Sequence, residues 1–147
     1  MSGLDAPEIL AAYNAVRSDD DKTNWLLISY AAAVGDKLKL AGTGEGGLAE
    51  LAGQLDPAQA QYGYARVEYA NDTESKRVKF ILVVWIGKDT KVMRKARVGF
   101  ETASVKKVLS HASIQVDATD KSDLDEMREI VPRLRRAGGA DYNGGRG

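Results

Sequence analysis

The chain is expected to fold as an α+β domain, a central mixed β-sheet of about five strands flanked by four helices. Three observations predict this class. Two segments, Trp25–Tyr30 and Val78–Ile86, are apolar on almost every residue, as strands covered on both faces must be. Helical periodicity returns after pairs of strands, giving the order α-β-β-α-β-β-α-β-α. The 147 residues, 44% hydrophobic and 29% charged, are enough for one core and have a globular composition.

Each element follows from a local pattern. Asp5-Ala6-Pro7-Glu8 opens the first helix with an acid and a proline in its first turn. Ile9, Ala12, Tyr13 and Val16 then share one face, and Asp19-Asp20-Asp21 ends the helix as a solvated turn. That acidic run lacks the D-x-D-x-D-G order of a calcium loop. Trp25–Tyr30 reads as a central strand, and the alternation of Lys37–Leu40 as its half-exposed neighbour. The stretch GTGEGG, Gly42–Gly47, is expected as a flexible connection to a short helix around residues 48–55, which stops before Pro57.

Tyr62–Tyr69 and Val78–Ile86 form a hairpin across a polar turn. Residues 91–111 are mostly helical, with Val105, Val108 and Leu109 toward the core and an irregularity at Gly99. Ile114–Val116 is a short strand. The last helix is expected to start near Ser122 with Asp125 as capping partner, and to run from acids to Arg133, Arg135 and Arg136, which suits the helix dipole. Pro132 must kink or break it. Residues 1–137 form one domain, and 138–147 a flexible glycine-rich tail.

The same residues exclude several functions. Without cysteine there are no disulfides or thiolate metal sites, which fits a reducing, cytoplasmic setting. No signal peptide, membrane span or membrane partner is expected. His111 is the only histidine, expected at a helix end, and no serine lies in a G-x-S-x-G elbow; neither an enzyme nor a bound cofactor is expected. Gly42–Gly47 matches G-x-G-x-x-G, but the preceding strand carries Lys37 and Lys39, and Glu45 would repel a pyrophosphate. Tyr62–Tyr69 comes near an RNA-recognition strand, which makes single-stranded RNA binding, with Tyr64 as stacking platform, the alternative function. Arg66 occupies an aromatic position of that motif and the element order does not match, so no nucleic-acid partner is expected.

Charge is unevenly spread. Formal net charge is zero, yet residues 66–107 hold 11 basic and 5 acidic side chains, which favours a directed contact with an acidic partner. The densest group is Lys76, Arg77 and Lys79, at the mouth of the most apolar strand.

SKRVKFILVVWIG at 75–87, AAYNAVRSDD at 11–20 and RRAGGADY at 135–142 together resemble the coactosins, of the actin-depolymerising factor homology superfamily. The resemblance runs from about residue 6 to 142. It implies a mixed sheet between helices, binding to the side of filamentous actin and a modulation of filament dynamics that extends to protecting filament ends from capping. Strong severing or depolymerisation, and more than weak binding to monomeric actin, are not implied. It carries a filament contact to Lys79, beside Lys76 and Arg77, and a second one to Arg135 and Arg136, beside Arg133. It also implies that the start of the long helix, with Lys91, Met93, Arg94, Lys95 and Arg97, enters a cleft between actin subdomains. Met93 is the candidate apolar anchor, provided that it is exposed. This sequence departs from the family at Pro132 and at Val98-Gly99-Phe100. The surroundings of Ser2 do not match those of a regulatory serine.

Overall fold

Alternation within two long strands organises the whole chain. In the computed structural model, which describes residues 3–32, 35, 37–70 and 76–137, β3 (Ala60–Ala70) and β4 (Lys76–Ile86) pair antiparallel from Ala60↔Ile86 to Ala70↔Lys76. β1 (Trp25–Tyr30) lies antiparallel on the other side of β3, with β2 (Leu38–Gly44) outside it. β5 (Ile114–Ala118) runs parallel to β4, so the sheet is mixed, in the order β2-β1-β3-β4-β5.

Successive side chains of a strand point to opposite faces. Leu26, Ile28, Tyr62, Tyr64, Phe80, Leu82 and Val84 therefore share one face, which α1 (Pro7–Arg17) and α3 (Val92–Val108) cover. Trp25, Leu27, Ala65, Val67, Ile81, Val83 and Trp85 share the other, covered by α2 (Gly47–Gly53) and by α4, residues 131–137. The result is three layers around two cores. Each fully buried large apolar side chain in them contributes about 1.5–3 kcal/mol. Trp85 is buried as expected of a core residue, and its indole N–H donates to the Asp56 carbonyl at 2.8 Å.

Three expectations are corrected. Gly42–Gly47 is no flexible connection: β2 continues through Gly42 to Gly44, with a bulge opposite Leu27/Ile28. Gly44 is there because the Trp25 indole lies across that end of the strand; a Cβ on it would come within 2.5 Å of the indole Nε1. Nor is the loop an anion site. The Glu50 carboxylate already accepts from the Trp25 indole at 2.8 Å and from the Gly46 amide at 3.0 Å.

α3 is unbroken at Gly99, which faces solvent. A solvent-facing glycine costs a helix only about 1 kcal/mol, too little to stop one held by Val98, Val105 and Leu109. His111 lies beyond the end of α3, where its amide donates to the Tyr13 hydroxyl and its carbonyl accepts from the Tyr64 hydroxyl. It thus ties α1, β3 and the exit of α3 together through its backbone.

The last helix begins with a 3₁₀ turn, Lys121–Leu124, capped by Asp120 and Asp123; Asp125 then caps a π turn, Glu126–Ile130. α4 follows directly, so Pro132 does not end the helix. The ring of Pro132 crowds the carbonyl four residues back, and the widened turn just before it absorbs the strain.

Two glycines give opposite expectations. Gly44→Ala should cost about 1–3 kcal/mol in urea unfolding by forcing Trp25 and Glu50 apart, whereas Gly99→Ala, in open space on a helix, should stabilise by about 0.5–1 kcal/mol.

The Trp25 indole N–H, followed by the Gly46 amide, holds the Glu50 carboxyl below the usual carboxylate range. A carboxylate depressed in the folded state stabilises it above the ordinary pKa, and that contribution is lost as pH falls through the folded value. Thermal melts from about pH 7 to about pH 3 should therefore show a shallower acid decline for Glu50→Gln than for wild type.

Candidate functional site

The cations singled out in the sequence fall into two groups at opposite ends of β4. By strand rise, the ten steps from Lys76 to Ile86 span roughly 33 Å. The predicted residues thus form two groups, one at each end of the strand.

The first group is at the start of β4. Arg77 and Lys79 have the parity of Ile81, so they point to the α4 side of the sheet, whereas Lys76 and Val78 point to the other. Lys79 and Arg77 are half-buried, and Lys76 is exposed. The end of the last helix comes to the same place. Arg135 donates to the Ala70 carbonyl at 2.8 Å, and its guanidinium lies 5.8 Å from the Tyr69 ring. Ala70 and Tyr69 pair with Lys76 and Arg77, so Arg135 ties the end of the last helix to this end of the β3–β4 ladder. Arg133 donates to the Gln115 carbonyl of β5 at 3.0 Å and is half-buried. Arg136 is exposed beside them, and among the described residues neither it nor Lys79 has an ion-pair partner.

The second group is at the start of α3. Lys91 is the N-cap residue and supplies no side-chain cap; Met93 is 83% exposed, and Lys95 and Arg97 are exposed. The Arg97 Nε stands 4.0 Å from the carboxylate of Glu101, one helical turn on. Arg94 differs from the rest: it is half-buried and bonded to the turn after β1.

Sequence reading missed two neighbours of Met93. Val92 and Phe100 are each 77% exposed, and Met93, Ala96, Phe100 and Ala103 line the outer face of α3 at helical spacing. The signal was present: this stripe lies opposite the buried Val98, Glu101 and Val105.

Gly42–Gly47 and Tyr62–Tyr69 bring no site together. Tyr62 and Tyr64 are completely buried in the middle of the sheet, and burial pushes both hydroxyls well above their ordinary pKa. Tyr64 stacks on Phe80 and packs edge-on against Tyr13, so it presents no face to a base. The RNA alternative loses its platform. Among the described residues no group of His, Asp and Glu could hold a metal ion, and no helix is long and apolar enough to cross a membrane.

The model of one family, the cofilin/tropomyosin-type actin-binding proteins, matches residues 2–131. The chain belongs to this family, within its coactosin branch. It is 39% identical to the coactosin of Dictyostelium discoideum over 145 residues, 98% of this chain and 97% of that one. The crystal structure of coactosin from Entamoeba histolytica superposes with a TM-score of 0.81 at 29% identity, over 93% of this chain and 98% of that one. The solution structure of mouse coactosin, described as an actin filament binding protein, gives 0.70 at 28% identity, over 92% and 91%. The mixed sheet flanked by helices is the family's architecture, and the family consists of binding proteins, not enzymes.

Proposed function

We propose that the chain binds the side of actin filaments and modulates their dynamics by opposing capping, without strong severing or depolymerisation. Family membership supports the partner. The observation that carries the reading is the placement of two groups at the two ends of one rigid strand, the exposed Lys76 and Arg136 with the half-buried Lys79 at one and the exposed Lys91, Met93 and Lys95 at the other. A filament presents repeated acidic surface along its side, and a domain with contacts at both ends can grip two places on it. A monomer offers fewer such places, so monomeric actin is expected to bind weakly or not at all.

The chemistry suits this division of labour. Exposed cations steer the encounter and set orientation, and each contributes only about 0.2–1 kcal/mol. Met93, a flexible apolar side chain amid cations, supplies an anchor that desolvates on contact. The setting that follows is the cytoplasm, on the actin cytoskeleton.

Co-sedimentation with filaments tests the reading. Wild type should pellet at low salt and less at moderate salt, with no change in the monomer pool. Lys79→Ala, Arg136→Ala and Lys95→Ala should each weaken pelleting by roughly two- to fivefold at an unchanged melting temperature. No pelleting at low salt would refute the function, and unchanged pelleting in all three variants would remove these residues from the site.

A further inference from the structure

The first two turns of α3 stand away from the body of the domain. Of residues 91–97 every one is exposed except Arg94, and the first buried side chain of the helix is Val98. A helix in water is normally held by its apolar face, and this stretch has none turned inward. The N-cap residue Lys91 gives the free amides no side-chain partner either. Beneath lies open space: a cleft of about 370 Å³ bordered by Tyr30, Ala32, Ala60, Asp89, Lys91 and Arg94.

Arg94 spans that gap. Its two terminal nitrogens donate to the carbonyls of Gly35, at 2.6 Å, and Ala32, at 2.9 Å, on the turn after β1. Its guanidinium also lies 3.7 Å from the centroid of the Tyr30 ring. Tyr30 is itself fixed, buried at the end of β1 with its hydroxyl 3.2 Å from that of Tyr62. Two carbonyls and a ring face are the set of partners that a planar guanidinium satisfies together; a lysine ammonium cannot bridge both carbonyls and lie flat on the ring.

We propose that Arg94 is a positioning residue that aims the projecting start of α3, and not one of the charges that meets the filament. The proposal rests on the reading that this helix start is a filament contact. Its charge is spent within the fold, whereas Lys91, Lys95 and Met93 around it are turned outward.

The test uses the full chain with Arg94→Lys and Arg94→Gln. Co-sedimentation is run at two salt concentrations, with hydrogen exchange at the amides of residues 95–98 and a thermal melt to confirm folding. If Arg94 positions the helix, Arg94→Lys weakens filament binding roughly tenfold, nearly as much as Arg94→Gln, because neither side chain can make the fork. Exchange at 95–98 becomes faster in both, and Arg94→Lys keeps the salt dependence of wild type because it keeps the charge. Wild-type binding by Arg94→Lys alongside weak binding by Arg94→Gln would make Arg94 a charge contact and overturn the proposal. Unchanged exchange in both variants would overturn it too. If wild type itself does not pellet, the filament reading falls instead, and faster exchange in Arg94→Lys still upholds the tie.

Discussion

The paired ladder of β3 and β4 is the constraint on which the rest of the structure depends. Eleven residues on each strand pair without interruption, so the two strands behave as one rigid ribbon. Their alternation sorts the apolar residues into two cores, and each core then recruits two helices. The length of the ribbon fixes how far apart its ends are. Because β4 begins in cations and leads, past Gly87, to the start of α3, the same element that builds the core also sets the spacing of the two exposed groups.

Arginines and lysines divide the work at those ends. Arg94, Arg133 and Arg135 each donate to a backbone carbonyl of another element, at Gly35 and Ala32, at Gln115 and at Ala70. Lysines Lys76, Lys91 and Lys95 are exposed, and Lys79 is half-buried with no ion-pair partner among the described residues. The difference is chemical. A planar fork with several donors joins backbone segments well, while a hydrated point charge on a flexible stem favours solvent or a partner. Charge alone would have grouped all of these residues as one surface.

How much of this was legible in the sequence follows from how local each cause is. The buried strands, the α1 face and the hairpin were legible because alternation and unbroken apolar runs are local patterns. The end of β2 was not, because what demands glycine at Gly44 is the ring of Trp25, nineteen positions earlier. Pro132 was correctly read as a disturbance, but a single wide turn could absorb it, a tertiary choice that the residue itself does not encode. The candidate site shows the same division. Its cations were visible as charge, and so was the exposed apolar stripe that went unread. Which cations are tied depends on partners about sixty residues away for Arg94 and 65 for Arg135.

The central claim is that both ends of the β4 ribbon meet the filament at once. Side-chain footprinting of the wild-type domain on actin filaments tests it most directly, with oxidation of Met93 and Phe100 reporting on the α3 end and lysine labelling of Lys76 and Lys79 on the other. Simultaneous protection at both ends, relieved together by salt, is the result this account predicts. Protection at one end only, with the other as reactive as in the free protein, would contradict it.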